Sequence, residues 1–159
     1  MYNNQYVNSG LITGTQWDVI LNTIMNKAGM SLSDMTNSSN WGNYANDSLN
    51  FSGTSSIYVA ASLLQYPFGN TSVTGQNLYK TGTSQGTMKY GIADIAGNLW
   101  EWTEEVSNYG GNIATQYREL RGGSFINDGS ASPACYRLGT RYSTETITNV
   151  GFRVVLYMK

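Results

Sequence analysis

Apolar residues recur at helical spacing in one stretch of the chain, TGTQWDVILNTIMNKAG at residues 13–29. Trp17, Ile20, Leu21, Ile24 and Ala28 fall on one face of the helix this predicts. Thr13 can cap its start, with Gln16 three residues on completing a reciprocal capping box, and Gly29 supplies the stop. The Trp17 stripe is read as core rather than as a binding platform. From Ser31 to Thr87 the periodicity fails, leaving a long irregular excursion studded with Trp41, Tyr44, Phe51, Tyr58, Tyr66 and Phe68. Such a length of loop stays compact only if it serves a function or is pinned by buried aromatics, and pinning is the plainer expectation. Ser55 to Tyr66 is the one apolar interval in it, a strand or a short helix.

From Met88 onward the pattern turns to period two. Tyr90 to Ile95 leads into a Gly97-Asn98 turn. Leu99 to Glu104 then alternates, with Leu99, Glu101 and Thr103 on one face and Trp100 and Trp102 on the other. Arg118 to Phe125 and Gly151 to Tyr157 predict two further strands. Between them, Ile126 to Val150 is rich in Ser, Thr, Gly, Asn and Tyr, and this is where function is expected.

Composition narrows the classes. At 159 residues, 40% apolar and 13% aromatic, the chain suits one globular domain with a sizeable core. Net charge is -1 and the nine Lys and Arg are scattered, so no footprint for nucleic acid or an anionic membrane is present. Only 12% of residues are charged; the surface this implies suits adhesive, hydrogen-bonding contacts, or simply a low-charge domain without an adhesive role. There is no His, which removes Ser-His-Asp and Cys-His hydrolases, His-ligated zinc and the facial triad of non-haem iron. Cys135 is the single cysteine, so no intrachain disulfide framework or thiolate cluster can form. No apolar run approaches the ~20 residues that span a bilayer. Residues 1–10 also lack the basic start and apolar middle of a signal peptide, and neither membrane insertion nor a leader is expected from this chain.

Three blocks, YGIADIAGNLWEWT (90–103), LRGGSF (120–125) and NVGFRVVLY (149–157), lie in that order. They resemble the formylglycine-generating enzyme/sulfatase-modifying family, whose members carry DMAGNVWEWT, RGGSW and GFR. The TxxQW helix start is similar to the family's TEAEW, and WGNY at 41–44 to a loop of its short bacterial members. The resemblance implies an α+β, C-type-lectin-like fold with a small antiparallel sheet, one main N-terminal helix and long irregular loops. It runs from Thr13 to Lys159, about the C-terminal half of the family's domain. The expectation is a single domain over 1–159 that is the C-terminal part of the family domain or of a longer protein. A sheet left incomplete would present an unpaired edge and invite homo-oligomerisation.

The resemblance also implies sites. In the family a calcium or sodium ion sits at the bend matching Asp94, Gly97, Leu99 and Glu101, where two carboxylates and two carbonyls would make a hard-oxygen set. The alternative is that Glu101 pairs with Arg153 under the sheet and Asp94 caps the turn. Either role is architectural, and no other cofactor is expected. Catalytic members hold copper on two cysteines of a CYRxxC-like segment. Here Cys135-Tyr136-Arg137 matches its start, but Thr140 stands at the second cysteine, and one thiolate with a hydroxyl is a poor soft-metal site. A copper oxidase acting through Cys135 is therefore the weaker reading, and no catalytic activity is expected.

RGGSF, a polar and aromatic stretch and then NVGFRVV look like the variable proteins of diversity-generating retroelements, in which that interval is the ligand-binding surface. This implies an adhesion or receptor-recognition module of a bacterial surface or phage particle. Its contacts to a protein or glycan would come from Phe125, Ile126, Asn127, Asp128, Tyr136, Leu138, Thr140, Tyr142, Thr144, Glu145 and Thr146, with Pro133 and Arg137 as scaffold. A purely structural surface or virion domain is the third reading.

Overall fold

The computed structural model describes residues 6–47, 57–59, 67–68, 77–82, 84–107, 117–142 and 147–158. Helix α1 is Gly14–Ala28, and the expected capping box is formed. Thr13 N donates to Gln16 Oε1 at 2.9 Å, while Gln16 N donates to Thr13 Oγ1 at 3.1 Å. Gly29 closes the helix in the left-handed region at φ 68°. Trp17, Leu21 and Ile24 are buried and Ile20 packs beside them. Ala28 departs from expectation and is exposed, because the last turn, with Asn26 and Lys27, runs past the core.

The excursion after Ser31 is less irregular than its sequence suggests. Ser31 caps a second short helix, α2 (Leu32–Thr36), through a capping box with Asp34. Strand β2 (Ile57–Val59) pairs antiparallel with β3 (Pro67–Phe68) and β4 (Asn77–Tyr79), so the apolar interval is a strand at 57–59; its remainder lies outside the described residues, as does Phe51. Pinning by aromatics holds where it can be seen: Trp41 and Tyr44 are buried, and Trp41 Nε1 donates to Asp34 O at 2.9 Å.

Strands β5 (Met88–Lys89) and β6 (Ile92–Ala93) form a tight hairpin. The main sheet holds β7 (Trp100–Val106), β8 (Tyr117–Arg121), β9 (Arg137–Tyr142) and β10 (Val150–Phe152) in the order β10-β7-β8-β9. It is antiparallel across β7, β8 and β9, whereas β10 joins β7 in parallel. A separate ribbon pairs β1 (Val7–Leu11) with β11 (Val154–Met158).

Several boundaries differ from the sequence reading. The strand expected to reach Phe125 stops at Arg121, since Gly122 and Gly123 take φ values of 89° and 74°, which extended backbone cannot accommodate. The C-terminal strand breaks at Arg153. Strand β9 lies inside the interval read as loop. The alternation expected of β7 holds from Glu101 on: Glu101 and Thr103 are buried while Trp102 is half-buried and Glu104 exposed, and only Trp100, buried at the strand's start, departs from it.

The core gathers Ile12, Trp17, Leu21, Ile24, Met35, Trp41, Tyr44, Ile95, Ala96 and Ala134, residues drawn from α1 and the loops more than from the sheet. Trp17 is fully buried and its Nε1 donates to Ala134 O at 2.9 Å, which satisfies the indole N–H without opening the core.

Candidate functional site

The three sequence blocks meet in one knot of backbone hydrogen bonds. Gly97 N donates to Gly122 O at 2.7 Å, Asn98 N to Asn43 O at 2.8 Å, and Phe125 N to Asn98 O at 3.0 Å. Asn98, held at φ 63°, acts as a short strand partner. Its Oδ1 accepts from Asn43 Nδ2 at 2.9 Å and from Tyr79 N at 3.0 Å, and its Nδ2 donates to Tyr79 O at 3.0 Å. A Cβ at Gly97 would collide with the Asn43 carbonyl, and one at Gly123 with the Ser132 carbonyl; these glycines are required by close approach as well as by positive φ. Ser124 Oγ accepts from Asn149 Nδ2 at 3.1 Å, and Trp100 N donates to Asn149 O at 3.0 Å. The family-like residues thus build a frame around the segment that follows Ser124.

That segment is clamped from below by the excursion. Ala45 N donates to Asn127 O and Ser38 N to Gly129 O, both at 2.9 Å, while Gly129 N donates to Asn46 Oδ1 at 2.9 Å. Tyr44 Oη donates to Gly122 O at 2.7 Å, and burial pushes the Tyr44 hydroxyl well above its ordinary pKa. Above the clamp, Ile126, Asp128 and Tyr136 face solvent, with Leu138 half-buried. The Tyr136 ring lies 6.0 Å from that of buried Trp100 at 58°, a tilted aromatic contact that fixes its orientation.

The expected contact residues therefore divide. Ile126, Asp128 and Tyr136 are at the surface. Phe125 is 3% exposed and offers no side chain to a ligand: the double-glycine turn sends the chain inward, so Phe125 becomes part of the floor. Asn127 is half-buried and its Oδ1 is taken by Ser124 N at 3.1 Å and Ser124 Oγ at 2.6 Å. Asp128 caps its own turn, accepting from Ser130 N at 2.7 Å and Ser130 Oγ at 2.6 Å; these bonds hold its carboxyl below the usual range. Thr140 and Tyr142 lie on β9 with side chains outside the description, and Thr144, Glu145 and Thr146 lie outside the described residues. The sequence reading missed Trp100 as the support of Tyr136, and β9 as a strand that carries part of this face. The alternation of Leu138, Thr140 and Tyr142 was the available signal.

Of the two residues expected as scaffold, Pro133 is buried and Arg137 belongs to a four-member ion network. Asp18 on α1 bridges Arg121 Nη2 on β8 and Arg137 Nη2 on β9, each at 2.5 Å. Glu105 on β7 accepts from Arg137 Nε at 2.8 Å and lies 3.5 Å from Arg121 Nη1. Arg121 is fully buried, with its guanidinium carbon 5.7 Å from the Trp17 ring centroid. Burial and the charge of Arg137 pull the Arg121 pKa below its ordinary value, opposed by Asp18 and Glu105.

At the bend, Asp94, Leu99 and Glu101 come together around a cavity of about 260 Å³ with Asn98 and Phe152. Both Glu101 oxygens are taken by Arg153, Oε2 by Nε at 2.8 Å and Oε1 by Nη2 at 2.6 Å. Both Asp94 oxygens are taken as well, Oδ2 by Gly82 N at 2.8 Å and Oδ1 by Thr87 Oγ1 at 2.6 Å. The charge a cation would supply is already provided by a guanidinium. Both carboxylates are thus engaged by protein partners, as in the pairing weighed against an ion site. Burial pushes the Glu101 carboxyl up, against the pull of Arg153. Cys135 packs against the hydrophobic core, and no cluster of three or more His, Cys, Asp or Glu suited to a metal occurs among the described residues.

A small mixed sheet, one long flanking helix and a looped face framed by glycine turns define a C-type-lectin-like fold. The family model of the Sulfatase-modifying factor enzyme 1-like domain matches residues 31–158, and the chain belongs to that family. Among solved structures, Treponema denticola variable protein 1 is similar, with a TM-score of 0.54 and 17% identity over 92% of this chain and 46% of that one. The chain spans about half the length of that protein, and the likeness at this identity concerns the fold. No relative was found among curated proteins.

Proposed function

We propose that the chain is a non-catalytic ligand-binding module whose contact surface is the segment after Ser124, with Ile126, Asp128 and Tyr136 at its exposed tip. The observation that carries this is the division of labour in the site. Family-like residues are consumed in the buried knot, while the side chains between RGGS and GFR that reach solvent carry no part of it. Such a surface can change sequence without unfolding its support. Its Tyr, Ser and Asn content suits adaptable recognition of a protein or glycan. The name of the solved neighbour, a variable protein, agrees with a variable surface, and the setting we favour is a bacterial surface or phage particle. The family includes enzymes; Thr140 at the second cysteine position and the packing of Cys135 on the core favour a binding role here.

A displayed library tests this without knowing the ligand. Randomising 126, 128 and 136 together should leave most members folded, by conformation-sensitive display and melting temperature. Randomising 124 and 125 should leave few. If the first library collapses, the tip is structural and the proposal fails. Sequencing the locus gives a second test: an adjacent reverse transcriptase and a near-copy of the DNA for residues 121–153, differing at adenines, is the expected finding.

A further inference from the structure

The strand that ends the described chain is apolar on both faces, and only one of them is covered. Val155 packs on the core and Tyr157 Oη lies 3.3 Å from Gln16 Oε1. On the opposite face, Phe152, Val154, Leu156 and Met158 are 66%, 53%, 68% and 93% exposed. The register of the ribbon places Leu11 across from Val154, Ser9 from Leu156 and Val7 from Met158, and residues directly opposite share a face. Phe152 in turn pairs with Trp102, and a groove of about 230 Å³ lined by Leu11, Trp102, Phe152, Glu104 and Arg118 joins the ribbon to the main sheet. The four exposed side chains alone present on the order of 500 Å² of mostly apolar surface, near the top of the ~300–600 Å² that the largest patch of a monomer shows.

We propose that this face is the interface of a symmetric homodimer, a second copy packing its own Phe152-to-Met158 stripe against the first. Three features fit a copy of the same chain. The patch is self-complementary: its centre is a continuous apolar stripe, which a two-fold axis can set against its own copy. With Trp102, Leu11 and Val7 at its border, the area approaches the ~800 Å² per partner of a standard interface. A two-stranded ribbon is marginal by itself, and face-to-face packing at roughly 10 Å supplies the missing layer. With a net charge of -1, two copies repel little. The proposal uses none of the tip residues and stands apart from the ligand-binding reading.

Sedimentation of the 159-residue chain from micromolar to submillimolar concentration tests it. The expected result is a reversible dimer that Leu156→Glu weakens by at least about tenfold, with an unchanged monomer fold by circular dichroism. Should Leu156→Glu fail to fold, Met158→Glu, at a side chain almost fully in solvent, reads the same surface. A chain monomeric throughout the range overturns the proposal, as does a dimer indifferent to both Leu156→Glu and Met158→Glu.

Discussion

At the scale of single residues, what distinguishes positions in this chain is whether a side chain would meet open space or fixed backbone. Gly29 and Gly123 have nearly equal left-handed φ, 68° and 74°. Yet a Cβ meets nothing within 4 Å at the first and the Ser132 carbonyl at the second. Gly29→Ala should therefore cost only the backbone preference, about 1 kcal/mol. Gly123→Ala should cost on the order of 3 kcal/mol or prevent folding, because a clash adds to the strain. Urea unfolding of the two variants makes the comparison directly, and equal losses would contradict it. Tyr44 gives a pH test. Its folded pKa is raised, so the native state keeps a proton that the unfolded chain gives up above about pH 10, and stability falls as pH rises from there. Tyr44→Phe should lose about 1 kcal/mol at pH 7 through the lost hydrogen bond to the Gly122 carbonyl, which keeps only Gly97 N, but its melting temperature should decline less steeply above pH 10 than that of wild type.

At the scale of elements, the ones that could be read in advance are those whose causes are local. Helix α1 carries its cap, its stripe and its stop within residues 13–29, and Thr13→Ala should cost about 1 kcal/mol, measured by the same unfolding. Ser31→Ala should cost less, since α2 is five residues long and mostly exposed. Its capping box was present in the sequence but had no apolar run behind it to attract notice. Strand β9 is the opposite case. Gly139 interrupts Arg137 to Tyr142, and what makes the segment a strand is pairing with β8, with Leu138 opposite Leu120 and Arg141 opposite Arg118; the alternation of Leu138, Thr140 and Tyr142 is too short to specify that pairing by itself. Phe125 was misplaced for a related reason: period-two reasoning cannot be carried through two consecutive left-handed glycines. The Glu101–Arg153 pair was legible as complementary charges inside two motifs. The partners of Asp94, Thr87 Oγ1 and Gly82 N, come from the excursion and could be known only from the fold.

At the scale of the molecule, the knot makes distant parts of the chain depend on one another. Asn43, Tyr79, residues 96–98, residues 122–125 and Asn149 close on each other through hydrogen bonds, so releasing one strand of the knot strips partners from the others. Buried polar groups left without partners are costly, which gives the assembly its cooperativity. The amides of Gly97, Asn98 and Phe125 should therefore exchange hydrogen only through global unfolding, with opening free energies equal to the stability from denaturant. The amides of Ser130 and Ala131 are satisfied by the Asp128 carboxylate in an exposed turn. They should exchange through local opening at a much smaller free energy. A tip that opens while its frame stays shut is what a changeable surface on a fixed support requires. Uniform protection across both sets would instead make tip and frame one structural unit, and the division between them would have no energetic basis.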